Sequence, residues 1–106
     1  MSNPITVRAL NDAFRTSLIG GRILITHGVQ QQPDLGQLLE LVRCYSDFSE
    51  DNDPYGEHDF GSFDHDGEKY FWKIDYYDPS LACASSDPAD PEGTTRVLTL
   101  MLACEY

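Results

Sequence analysis

Residues 59–77 constrain the fold more than any other stretch of this chain. Two runs rich in aromatic residues, 59–64 and 68–77, flank His65-Asp66-Gly67. An Asp-Gly step between alternating runs is a strong β-hairpin signal, because a tight hairpin turn needs residues that tolerate positive φ. In the second arm Tyr70, Trp72, Ile74 and Tyr76 alternate with Phe71, Lys73, Asp75 and Tyr77. Side chains alternate across a strand, so the first set predicts a core face and the second a semi-polar one.

A hairpin needs further strands or a helical layer to be stable. Two helices are readable upstream. Asn3-Pro4 suits a helix start, and Val7, Leu10, Phe14 and Leu18 recur at helical spacing, with Arg8, Asn11, Asp12 and Arg15 expected mostly on other faces, until Gly20-Gly21. In the second helix Asp34 is expected as N-cap with Gln37 completing a capping box, and Leu35, Leu38, Leu39, Leu41, Val42 and Tyr45 form a broad apolar face as far as Ser46. Between them residues 22–27, RILITH, read as a buried strand. Residues 78–93, with three prolines, read as a long irregular loop of the kind that is often functional. Residues 94–106 fit a buried strand or a helix; a strand is preferred because it supplies the sheet with a partner. The expected fold class is α+β: an antiparallel sheet of about four strands with two helices packed on one face, in a single domain spanning residues 1–106.

Charge then narrows the functional classes. The formal net charge is -11, and residues 47–78 hold eleven acidic residues against two basic ones. Such a chain opposes direct binding to nucleic acid or anionic lipid, which calls for Lys and Arg. The expected partner is a basic protein surface, including that of a nucleic-acid-binding protein. Cys44, Cys83 and Cys104 have no close-spaced pair, so neither a disulfide framework nor a zinc knuckle is indicated, and a reducing cytoplasm fits best. No membrane-length apolar run or secretory leader pattern is present.

Candidate chemistry is sparse. Asp51-Asn52-Asp53-Pro54-Tyr55-Gly56 begins like a calcium loop but has Tyr55 at its fifth position and Ser62 where a bidentate Glu belongs. His27, His58 and His65 with Glu57, Asp59, Asp64 and Asp66 offer ligands for a metal-dependent hydrolase without its usual spacing. Ser62 lacks a nucleophile elbow, Cys44 sits near the apolar helix face, and Gly20-Gly21 precedes a strand where a phosphate loop would precede a helix. No cofactor is implied. Tyr beside carboxylates, by contrast, suits an interface: the ring supplies area and the acids steer association. The candidate partner-binding residues are Asp47, Glu50, Asp51, Asp53, Tyr55, Glu57, Asp59, Asp64, Asp66 and Glu68, with the 47–59 segment expected as an exposed loop.

NDPYGEHDFG, FWKIDYYD and DPADPEGTTRVLTLMLACEY resemble an uncharacterised domain-of-unknown-function family of small acidic proteins from bacteria and their plasmids. The likeness runs from Asn11-Asp12-Ala13-Phe14 onward. It implies a stand-alone domain and no established activity. Its setting among mobile-element genes favours an inhibitor of defence proteins.

Three readings follow. The first is a non-enzymatic binding domain whose carboxylates mimic nucleic-acid phosphates and inhibit a host defence or other nucleic-acid-binding protein. The second is a small metal-dependent hydrolase built from the His, Asp and Glu of residues 51–66. The third is a regulatory or assembly subunit that dimerises through a strand edge.

Overall fold

A computed structural model describes residues 4–106. The elements in order are α1 (Pro4–Ser17), β1 (Arg22–Ile25), α2 (His27–Gln30), α3 (Leu35–Arg43), β2 (Phe60–His65), β3 (Glu68–Tyr77) and β4 (Thr95–Leu102), followed by a 3-10 turn at Ala103–Glu105. The proposed Asn3 cap lies outside the described residues.

The fold is α+β, with four strands in the order β1-β4-β3-β2. The hairpin forms as its turn chemistry demands: β2 and β3 pair antiparallel from Phe60↔Lys73 to His65↔Glu68. Asp66 and Gly67 both take positive φ, 51° and 80°, as the favoured two-residue turn requires. β4 is the strand preferred from sequence and pairs antiparallel with β3 along its length.

The expectation of a purely antiparallel sheet is corrected by β1, which runs parallel to β4 with Arg22↔Val97 through Ile25↔Leu100 in register. Only a tight turn forces antiparallel pairing between neighbours, and no turn joins these two strands. β1 is also shorter than RILITH: His27–Gln30 forms a helical turn, giving three helices where two were expected.

The helices cover one face of the sheet. Phe14, Val29, Leu38, Val42 and Tyr45 pack on Tyr70, Trp72, Ile74, Leu98 and Leu100, with Ile23 and Ile25 at the margin. Trp72 is completely buried and stands opposite Gly61 across the β2–β3 ladder. A Cβ at position 61 would overlap the indole, so this glycine makes room for the largest core side chain.

Two terminal details differ from expectation. Leu18, at φ 59°, ends α1 before either glycine. α3 has Asp34 as its N-cap residue, but the carboxylate makes no cap hydrogen bond, so the Asp34–Gln37 capping box does not form.

Candidate functional site

The acidic segment between α3 and β2 is a built loop, not a solvated coil. Tyr45 is buried just beyond α3, and its hydroxyl donates to the Asp47 carbonyl at 3.1 Å. Asn52 accepts from the Ser49 N–H at 2.9 Å and donates to the Asp47 carbonyl at 2.8 Å. Asp53 Oδ1 accepts the Glu57 and His58 N–H groups at 3.0 and 3.1 Å. Gly56 and His58 take positive φ, 67° and 55°, which turns the chain back toward Asp53. The segment that began like a calcium loop thus directs a carboxylate at its own backbone.

α1 fastens this loop to the core. The His58 ring stacks on Phe48, with centroids 3.7 Å apart and planes within 3°. Its Nδ1 lies 2.9 Å from Asp12 Oδ1, and since an ionised carboxylate only accepts, that nitrogen carries the proton. Nε2 faces Asp53 Oδ2 at 3.5 Å. Arg15 donates to Asp12 at 2.9 Å and to the Tyr45 carbonyl at 3.2 Å, and its guanidinium lies over Phe48 and Trp72, 5.2 and 5.4 Å from the ring centroids.

A second polar layer lies behind the first. Asn11 is fully buried; its amide donates to the Glu57 carbonyl at 2.9 Å and the Tyr76 hydroxyl at 2.8 Å, and its oxygen accepts from Arg96 Nε at 2.7 Å. Tyr76 donates to Asp59 Oδ2 at 3.1 Å. Arg96 stacks 5.3 Å from the Tyr76 centroid and donates to the Pro88 carbonyl, which ties down the proline-rich segment. That segment is further ordered by Asp78, whose Oδ1 accepts from Ser80 and the Ala82 and Cys83 amides.

These contacts reset the acids. Burial, with Asp53 and Asp75 adding and the Tyr76 hydrogen bond opposing, raises the Asp59 carboxyl above its ordinary value. Partial burial raises Glu57, with help from Asp59 and Asp53. Burial raises the Tyr76 hydroxyl, against the Asn11 hydrogen bond and with the charges of Asp59 and Glu57, so it stays a donor. In each case the charged form loses hydration and gains like-charged neighbours.

The ten expected partner-binding residues therefore separate by role. Asp47, Glu50, Asp51 and Tyr55 are exposed on the loop, Tyr55 at 78%. Asp53, Glu57 and Asp59 are partly buried, and the structure engages the Asp53 and Asp59 carboxylates in hydrogen bonds. This corrects the expectation that all of residues 47–59 are exposed. Asp64, Asp66 and Glu68 are exposed at the hairpin turn, at the opposite end of the six-residue strand β2, which spans about 17 Å. His58 and His65 are separated by that strand and do not converge on one site.

At the turn, His65 Nε2 lies 3.2 Å from Asp34 Oδ2 and 3.6 Å from Asp66 Oδ2. The Asp34 carboxylate thus contacts His65 and makes no cap hydrogen bond to α3. One ligand atom from each of the three falls within 4.8 Å of the others, a grouping of the size that holds a metal ion. One nitrogen and two oxygens open to solvent would suit a borderline cation completed by water. Its third member, Asp34, is the N-cap residue that precedes α3 and lies outside the 51–66 segment.

Asn11, Arg15 and Arg96 were not among the expected site residues, yet all three are buried, which corrects the placement of Asn11 and Arg15 on other faces of α1. The signal was present: Asn11 stands four residues after Val7 and three before Phe14, inside the apolar stripe. Cys44, expected near the apolar face, is exposed; its thiol contacts Glu40 at 3.3 Å, and that hydrogen bond raises its pKa. Cys83 and Cys104 are likewise exposed and unpaired. No helix among the described residues is long and apolar enough to cross a membrane.

The class defined by these features is a small α+β domain in which a buried polar lattice holds an acidic loop against a mixed four-stranded sheet. A family model described as "Protein of unknown function (DUF3768)" matches residues 25–105, and the chain belongs to that family. No curated protein matches it, and no solved structure does.

Proposed function

We propose that this chain is a non-enzymatic protein-binding domain whose 47–55 loop engages a basic surface, acting as a nucleic-acid mimic that inhibits a nucleic-acid-binding protein. The observation that carries this reading is the pairing of exposed charge with a fixed backbone. Asp47, Glu50, Asp51 and Tyr55 are all exposed on this loop, which is fastened through Asp53, His58 and Asn11. Among the described residues these three carboxylates have no ion-pair partner. Acids carried on a preorganised loop offer Lys and Arg what phosphates offer, without the entropy cost of ordering a flexible tail.

The test is a comparison of two variants with equal charge change, Asp47→Asn/Glu50→Gln/Asp51→Asn in the loop and Asp64→Asn/Asp66→Asn/Glu68→Gln at the hairpin turn. Each is titrated against a panel of basic nucleic-acid-binding proteins at stepped salt, with and without competing duplex DNA. The reading expects salt-sensitive binding that duplex DNA displaces and that the loop variant weakens at least tenfold more than the turn variant. Equal weakening would reduce the acids to a general negative field and overturn it.

A further inference from the structure

The sheet face opposite the helices is not a flat polar surface. It is a trough of about 640 Å³, within the range of small-molecule sites. Its floor is set by strand register: Arg22, Val97 and Asp75 form one row across β1, β4 and β3, and Leu24, Thr99 and Lys73 form the next. Met101 continues the floor in the next row, in register with Phe71. Val97 and Met101 are almost fully buried on this face. Leu81 lies at the Val97 end, on the segment after β3, and Tyr106 lies at the Met101 end, its ring edge-on to Phe71 at 5.4 Å.

The trough's charges are not equally available. Lys73 Nζ is paired with Asp75 Oδ2 at 3.0 Å. Glu105 accepts from the Thr26 hydroxyl at 2.6 Å, the Leu102 N–H at 2.8 Å and the Gly28 N–H at 3.0 Å, which satisfies its oxygens and lowers its pKa. Arg22 is exposed, and its guanidinium has no hydrogen bond or ion pair among the described residues. Of the four charged side chains lining the trough, the Arg22 guanidinium at one end is thus the uncommitted one, and its planar fork matches a carboxylate.

We propose that this trough binds an amphipathic carboxylate, with its head on Arg22 and its apolar body along Val97 and Met101 toward Tyr106. From Val97 to Met101 the strand runs about 13 Å, which suits a medium-length acyl chain. This site lies on the other side of the sheet from the helical layer and does not depend on the acidic loop.

The chain has two methionines, Met1 and Met101, so the methyl resonance of Met101 reports the trough floor in the full-length protein. With decanoate as probe, and decanol and decylamine as head-group controls, the Met101 methyl is expected to shift saturably. Decanoate should bind at least tenfold more tightly than either control. Arg22→Gln should abolish that preference and Arg22→Lys retain part of it, while Asp51→Asn leaves it unchanged. Trp72 fluorescence verifies that each variant keeps its core. Equal binding of decanoate and decanol, no saturable shift, or a Met101 shift that depends on protein concentration alone, as a second copy covering the face would give, overturns the proposal.

Discussion

The imidazole of His58 lies flat on the ring of Phe48, 3.7 Å between centroids, and its Nδ1 sits 2.9 Å from Asp12. One side chain thus fastens the acidic loop to α1 by stacking and by a charge-assisted hydrogen bond. Replacing His58 with Ala removes both, and the cost is expected at about 1–3 kcal/mol. Urea denaturation measures it, and amide exchange should show residues 47–58 opening first. A double-mutant cycle with Asp12→Ala should give a coupling near 1 kcal/mol; additive losses would mean the contact is not energetically real.

The raised pKa of Asp59 makes a signed prediction. Its folded value lies above its unfolded value because of burial, so the native state holds the proton more tightly and ionisation opposes folding. The contribution of Asp59 is most favourable below the ordinary carboxylate range, near pH 4, and is lost as pH rises through the raised folded value. Asp59→Asn cannot ionise yet retains an acceptor for Tyr76. The variant should gain stability relative to wild type as pH rises through that window. Urea midpoints taken across it for both proteins check the sign; a constant difference would contradict it.

Asn11 satisfies three partners at once: the Glu57 carbonyl, the Tyr76 hydroxyl and Arg96 Nε. Asn11→Ala deprives buried polar groups on three elements, and each unsatisfied group costs about 1–3 kcal/mol. A loss of about 3 kcal/mol or more is expected by chemical denaturation. Asn11→Leu restores the volume but not the hydrogen bonds, so it should be no better; rescue by Leu would show that packing, not polarity, is what the site needs.

What the sequence made legible was local. The Asp66-Gly67 turn, the alternation of Tyr70, Trp72 and Ile74, and the helical spacing of Val7, Phe14, Leu38 and Val42 each encode a neighbour only a few residues away. The direction of β1 was not legible, because nothing local joins Arg22 to Val97, its register partner. Nor was the polar lattice, since the Asn11 and Arg96 side chains meet across 85 positions and nothing local links the two residues. The Asp34 cap shows the same limit from the other side: its local signal was correct for position, yet His65, 31 residues away, takes the carboxylate. The exposed acids of the candidate surface were legible from composition; which of them the structure uses internally was not.

Asp51 and Asp53 are two residues apart and should behave oppositely. Asp51 is exposed and contributes no contact that holds the loop, so Asp51→Asn should change stability by less than about 0.5 kcal/mol. Asp53, with a side chain only 6% exposed, accepts two backbone amides. Asp53→Ala leaves those donors unpaired, at an expected cost of about 2–4 kcal/mol. Gly56→Ala adds an independent check on the same turn: at φ 67° an L-residue with a Cβ costs about 1–2 kcal/mol, although no atom lies closer than 3.7 Å to block the added carbon. Thermal and urea unfolding of the three variants separate these outcomes. Equal losses at Asp51 and Asp53 would show that the loop is held by its overall charge pattern and not by the Asp53 staple, and would remove the rigid backbone on which the proposed binding surface depends.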